Sequence, residues 1–281
     1  MNVLVTGGGG FIGSHLVDAL VPDHAVTVLD DFSSGSRENV HPDARIVEAD
    51  VRDERRLDAL AADVDVIFHQ AASVSVERSI DDPTRSHAVN VDATLSVLEA
   101  ARKHDARCVL ASSAAIYGQP ETVPIEETAK KAPESPYGIE KLSVDGYARL
   151  YGDLYGLPTV SLRYFNVYGP RQTAGDYSGV ISTFLDQALG DEPMTVHGDG
   201  SQTRDFVHVS DVVRANLLAM NTEDVGEAYN VATGESVTIA ELARTIRGVT
   251  GSDSEIVHTE GRDGDIAHSR GDVTKARERL G

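Results

Sequence analysis

Tyr137 and Lys141 stand four residues apart in the run SPYGIEKLSVDGYARLYG. On a helix this spacing puts both side chains on one face about one turn apart, so an ammonium can sit near a phenol oxygen. A phenol ordinarily titrates near ~10, and a close positive charge favours the phenolate. The pair therefore predicts an acidic tyrosine able to take a proton near neutral pH. Taken alone, the spacing also fits a surface helix with an aromatic and a lysine.

It does not stand alone, because a glycine loop opens the same half of the chain. Asn2-Val3-Leu4-Val5-Thr6 is an apolar run of strand type, and it leads into GGGGFIGSHLVDAL, a helical pattern with Phe11, Ile12, Leu16 and Leu20 apolar. Gly7, Gly10 and Gly13 have GxxGxxG spacing, and Gly8, Gly10 and Gly13 also satisfy GxGxxG. Backbone from Gly7 to Gly10 can approach a pyrophosphate at the helix N-terminus, and Gly13 lets the helix pack close to the sheet. The next apolar run, Ala25 to Leu29, ends in Asp30, about twenty residues after the loop, where a carboxylate accepts both ribose hydroxyls and repels a 2′-phosphate. These features predict a dinucleotide site that takes NAD. Asp50 and Val51, after the run Arg45 to Ala49, fall where a third strand end could meet the adenine; Asp50 equally fits a cap for the helix Glu54 to Ala61.

The elements that must position these groups follow an alternating pattern. Val64 to Phe68 reads as a fourth strand before His69-Gln70-Ala71-Ala72, Cys108 to Ala111 as a fifth running into Ser112-Ser113, and Thr159 to Leu162 as a sixth. Pro83 to His104 reads as one helix, apolar or small on nearly every face and so buried on two sides. From about residue 166 the pattern shortens, with loops at 169–179 and 198–203 and helices at Val180 to Leu189, Asp211 to Met220 and Ile239 to Thr250. The expected fold is α/β, a Rossmann-type doubly wound parallel sheet with a smaller C-terminal substrate-binding lobe. Residues 1–165 are expected to form the NAD-binding domain, with later segments returning to it, and 166–281 mainly the lobe.

Composition narrows the function classes. The 281 residues carry a net charge of −20 and five lysines, which weighs against nucleic acid and anionic membranes as partners. Acidic surplus with little lysine points to a protein adapted to high salt. No run approaches the ~20 apolar residues of a membrane span. The single cysteine, Cys108, lies in an apolar run and reads as a buried thiol. With a strand expected from residue 2, no leader is expected, and the expected compartment is the cytoplasm. No metal-ligand spacing stands out among the ten histidines.

The segments TGGGGFIGSHL, HQAA, SSAAIYG, PYGIEK, RYFNVYGPRQ and GDGSQTRDFVHVSD, in this order, together resemble the extended short-chain dehydrogenase/reductases of the NAD-dependent epimerase/dehydratase family. Within that family the likeness is greatest to the UDP-glucose 4-epimerase group. The resemblance implies that Tyr137 is the catalytic base, that Lys141 binds the nicotinamide ribose while lowering the tyrosine's pKa, and that Ser113 hydrogen-bonds the reacting sugar hydroxyl. It implies that Asn90, Phe165 and the stretch Gln70, Ala71, Ala72, Ser73 and Val74 line the cofactor, with Asp30, Asp31, Phe32, Ser33, Ser34 and Gly35 around the adenosine ribose. Asn166, Arg204 and Arg262 would lie near the sugar diphosphate, where arginine forks match phosphate oxygens. An Arg–Asp surface pair is the alternative for each arginine.

The implied reaction is inversion at carbon 4 of a UDP-hexose through a 4-keto sugar, with a homodimer through the 83–104 and 137–155 helices. Relatives that dehydrate or decarboxylate typically carry an acid two residues before the tyrosine of the SSAAIYG-like segment; here that position is Ala115, which supplies no general acid. The position that in relatives guards the sugar's 2-substituent falls on Ser269, small enough to admit an N-acetyl group. The chain stops at Gly281, where relatives usually continue with another helical stretch. A plain dehydrogenase and a non-catalytic NAD(H) sensor are the competing classes.

Overall fold

Parallel strands are bridged by crossovers that bury both faces of a sheet, so they need to be apolar on both sides. Val3 and Val5 join one core cluster while Leu4 joins the other, as the two-residue period of a strand requires. The computed structural model describes residues 1–172, 179–261 and 264–281. In chain order its first part runs β1 (Asn2–Thr6), α1 (Phe11–Leu20), β2 (Ala25–Asp30), β3 (Arg45–Glu48), α2 (Glu54–Ala61), β4 (Val66–His69), α3 (Val76–Asp81), α4 (Pro83–His87), α5 (Ala93–Lys103), β5 (Arg107–Ser113), α6 (Pro136–Tyr155) and β6 (Thr159–Tyr164). The rest is β7 (Asn166–Tyr168), α7 (Val180–Leu189), β8 (Met194–His197), β9 (Thr203–Arg204), β10 (Phe206–His208), α8 (Val209–Asn221), β11 (Glu227–Val231), β12 (Val237–Thr238), α9 (Ile239–Thr250), β13 (Ile256–Thr259) and α10 (Thr274–Arg279).

Seven strands make one sheet in the order β11-β6-β5-β4-β1-β2-β3. Every pairing in it is parallel. Strand order reverses between β1 and β4, and the crevice outside their carboxyl ends is where ligands bind in open sheets of this kind. On one face Leu16, Val17 and Leu20 of α1 and Val212 and Val213 of α8 pack on Val28, Phe68 and Val109. On the other, Leu57, Val97, Leu98 and Val144 cover Leu29, Ile67 and Leu110. Cys108 is in this second cluster, and burial pushes its thiol up to about 12.

A separate cluster of Phe184, Ala188, Met194, Val196, Ile239, Leu242 and Ile246 joins α7, β8 and α9. Besides the large sheet, β13 pairs with β8, β12 with β9 and β10 with β7, each as a two-stranded sheet. Among the described residues no helix is long and apolar enough to cross a membrane.

The 83–104 stretch departs from the single helix that its composition predicts. Asp82 caps α4, accepting from Arg85 N, and Pro83 starts it. Ala88–Asp92 is then π-helical before α5 resumes the α repeat. A π segment adds a residue to one turn and turns its side chains out of register, a feature that occurs often at functional sites. Here it aims Asn90 inward, and apolar periodicity carries no signal for that.

Candidate active site

The glycine loop is built on two places where a side chain has no room. Gly7 has φ +70, and a Cβ there would lie 2.6 Å from Ala71 N; on Gly13 a Cβ would lie 2.1 Å from Gly7 O. Gly10 is the N-cap of α1, makes no side-chain cap bond, and is followed by no acidic residue in the first turn of Phe11 and Ile12. The first amides of a helix lack intrahelical partners and carry its positive dipole end, so this terminus suits a pyrophosphate.

Asp30 ends β2 against that loop. Its Oδ2 accepts from Gly9 N at 2.8 Å and its Oδ1 from Phe32 N at 2.7 Å, which leaves each oxygen a lone pair for a ribose hydroxyl. Burial pushes its carboxyl above the usual range, opposed by those two backbone hydrogen bonds, with the Asp31 charge adding to the rise. The loop that follows folds back over Gly9: Phe32, at φ 54, lays its ring there, Asp31 accepts from Ser33 N at 3.0 Å, and Gly35 approaches the Gly9 backbone, with Ser34 between.

These residues fit a dinucleotide. Of the other expected contacts, several side chains are committed elsewhere. The Asp50 carboxylate is gripped by Arg52, whose Nε donates at 2.9 Å, and the cap of α2 is Asp53, so Asp50 does not cap that helix. Val51 is buried in the core with Leu29 and Leu57. Gln70 turns to Tyr164 Oη and Asn216 Oδ1, both at 3.1 Å. Phe165 packs with Ile116, Tyr117 and Ile125. Asn90 accepts from Ser73 N at 2.8 Å and donates to Ser73 O at 2.9 Å, so it shapes the Ala71 to Val74 loop rather than presenting its amide to a ligand. Tertiary hydrogen bonds and apolar packing, neither visible in a motif, make these assignments.

At the opposite side of the crevice, Ser135 caps α6 by accepting from Gly138 N at 3.1 Å and Pro136 starts the helix. Tyr137 N donates to Ser79 Oγ of α3 at 3.1 Å, which fixes the first turn. Lys141 is buried; its Nζ donates to Ala111 O at 2.8 Å and lies 5.9 Å from the Tyr137 ring centroid. Ser113, at the end of β5, lies beside the Tyr137 phenol and favours its ionised form. The three groups expected to act together do meet.

Their electrostatics differ from the expectation of an acidic tyrosine. Burial raises the phenol's pKa, the Ser113 side chain works against that, and the Glu140 charge adds to it. Burial likewise pulls Lys141 down to about 8, with Glu140 opposing. Desolvation is thus the largest influence on both the half-buried phenol and the buried ammonium.

Among the residues expected to meet the sugar nucleotide, Asn166 Nδ2 donates to Asp205 O at 2.9 Å. Arg204 donates from Nη1 to Thr203 O at 2.8 Å and Ile266 O at 2.5 Å, and from Nη2 to Asp265. The Arg–Asp alternative therefore holds for Arg204 in the protein by itself. Ser269 is buried and its N donates to Thr203 O at 3.1 Å. Arg262 lies outside the described residues.

Three groups escape motif reading. Asp205 is fully buried and accepts four bonds: from Thr233 N and Oγ1 at 2.8 and 2.7 Å, Gly234 N at 3.0 Å and Gly271 N at 3.1 Å. Arg163 and Asp145 form a buried pair at 2.8 Å one turn below Lys141. An arginine inside the strand TVSLRY, and an aspartate four residues past Lys141, were the available signals.

A parallel sheet with a glycine turn and a bare helix terminus after its first strand, and a buried carboxylate ending the neighbouring strand, defines an α/β protein of the dinucleotide-binding class. The chain matches the NAD dependent epimerase/dehydratase family over residues 3–232 and belongs to that family. It is 41% identical over 283 residues to a putative UDP-glucose 4-epimerase of Methanocaldococcus jannaschii, covering 99% of this chain and 92% of that protein. Among solved structures, UDP-glucose 4-epimerase of Thermotoga maritima with UDP-glucose superposes at TM-score 0.96, with 40% identity over 100% of this chain and 92% of that one. UDP-N-acetylglucosamine 4-epimerase from Methanobrevibacter ruminantium, in complex with UDP-N-acetylmuramic acid, also gives 0.96, with 38% identity over 99% and 91%.

Proposed function

We propose that this chain is a nucleotide-sugar 4-epimerase that interconverts UDP-glucose and UDP-galactose. The observation that carries the reading is the meeting of Ser113, Tyr137 and Lys141 beside a crevice fitted for NAD. Tyr137 takes the proton of the sugar's 4-hydroxyl, Ser113 orients that hydroxyl, and Lys141 holds the nicotinamide ribose. When bound, NAD supplies the acceptor for the carbon-4 hydride and a positive charge that favours the phenolate. For the return half of the cycle the 4-keto sugar would present its opposite face, and Tyr137 would give the proton back to the carbon-4 oxygen. The lobe formed mainly by 166–281 holds the sugar nucleotide through Asn166, Arg204 and Arg262.

Ala115 favours epimerisation over elimination. It lies against the first turn of α6, where a Cβ on Gly138 would come within 2.9 Å of its carbonyl oxygen, and its methyl group has no proton to give a leaving hydroxyl. Ser269 leaves space for an N-acetyl group, and the likeness to a UDP-N-acetylglucosamine 4-epimerase supports acceptance of N-acetylated sugars. The exposed apolar side chains Ile139, Leu150 and Leu154 of α6 support a homodimer through this helix. The −20 charge supports a protein without nucleic-acid or anionic-membrane partners.

The test is to mix protein, NAD and UDP-galactose at high salt and assay UDP-glucose. The expected result is conversion without net NADH; accumulating NADH means a dehydrogenase, and NAD binding with no conversion means a sensor.

A further inference from the structure

Glu140 sits between Tyr137 and Lys141 on α6 and is 3% exposed. A buried carboxylate requires donors. Two reach it from segments packed directly on α6: Ser86 Oγ donates to Oε2 at 2.8 Å, and Asn90 Nδ2 donates to the same oxygen at 2.6 Å. Ser86 belongs to α4 and Asn90 to the π-helical segment, and Asn90 also holds Ser73. One carboxylate oxygen thus joins the helix of the tyrosine–lysine pair to the loop expected along the cofactor.

The neighbours of the pair make this charge prominent. Ser79 of α3 meets Tyr137 N, Ser113 and Ala111 O of β5 meet the phenol and the ammonium, and Ser112 Oγ donates to Lys141 O at 3.4 Å. His69 of β4 is neutral, its pKa pulled down to about 3 by burial and then by Lys141, and it bonds Thr6 and Thr94. Arg78, Arg85, His87 and Asp92 on the helices above are exposed. Asp145 and Arg163, below, neutralise each other.

We propose that Glu140 is a positioning residue that holds a negative charge beside Tyr137 and Lys141 on their helix and, through its hydrogen bonds to Ser86 and Asn90, locks the π segment to that helix. The proposal rests on the epimerase reading only for its kinetic arm. The carboxylate disfavours the phenolate and favours the ammonium. Glu140→Gln keeps an acceptor oxygen for Ser86 and Asn90 and deletes the charge, so both groups should lose their protons at lower pH.

The experiment is ultraviolet titration of the phenolate band of the whole protein, with the matching Tyr137→Phe variant subtracted in each background. Glu140→Gln should move the Tyr137 midpoint down by about one pH unit, and Glu140→Asp, which keeps the charge, should leave it near the parent value. Glu140→Ser gives a second neutral background if the glutamine variant fails to fold. In the turnover assay both limbs of the kcat profile should shift to lower pH with Glu140→Gln, whereas Ser86→Ala, which keeps the charge, should lower kcat with the limbs in place. An unmoved or raised midpoint in both neutral variants overturns the proposal. Absence of turnover in the parent chain would sink the epimerase reading and leave the titration still decisive for Glu140.

Discussion

The side of the crevice fitted for the cofactor and the side proposed for the sugar are built in opposite ways. On the cofactor side, a strand, a glycine turn and a helix that follow one another in sequence present bare backbone amides, and Asp30 closes the arrangement through Gly9 N. On the sugar side no such run exists. Asn166, the Thr203 to Asp205 stretch, Thr233 with Gly234, and Gly271 come from four separate places and are joined at the backbone and carboxylate of Asp205. The first design depends on where side chains are missing; the second depends on one that is present and buried.

Breaking the second design should have the largest effect. Asp205→Ala leaves the Thr233, Gly234 and Gly271 amides without their acceptor in a buried place, at a cost of about 3–5 kcal/mol. Denaturant unfolding should show that loss, and Asp205→Asn should retain part of the stability while raising the KM for sugar nucleotide more than the Kd for NAD. Equal damage to both would mean that the two sides are not separate.

Asp30→Ala sharpens the contrast from the other direction. Removing the ribose acceptor should weaken NAD about 10- to 100-fold with UDP binding little changed, as calorimetry with each ligand would show. A smaller effect is expected from Arg204→Ala. Because Arg204 already has Asp265 and two carbonyls as partners, only part of its hydrogen-bonding capacity remains for a diphosphate, so KM should rise about 10-fold with the Kd for NAD unchanged. An unaltered KM would confine Arg204 to holding the Asp265 loop.

What the sequence discloses follows the same division. Gly7, Gly10, Gly13 and Asp30 are legible because a tight turn and a helix start use contiguous residues, and the Tyr137–Lys141 spacing is legible because a helix repeats every turn. The direction of the Tyr137 shift was not, since it depends on burial and on Glu140, whose partners Ser86 and Asn90 lie about fifty residues away. Asn90 was named from family likeness, but its inward aim comes from a π segment that apolar periodicity cannot reveal. Arg204 was visible as a charge beside a glycine loop, whereas Asp265, which occupies it, lies sixty-one residues on. Motifs name residues in such cases, and tertiary contacts decide what those residues have left to offer.

The central claim is that the Tyr137 phenol oxygen does the proton transfer in a crevice that holds NAD independently of it. Tyr137→Phe tests it most directly, by measuring UDP-galactose conversion and NAD affinity on the same preparation. The account predicts that turnover falls by at least about 1000-fold while NAD stays bound with near-parent affinity. Substantial residual turnover with the phenylalanine in place would contradict it.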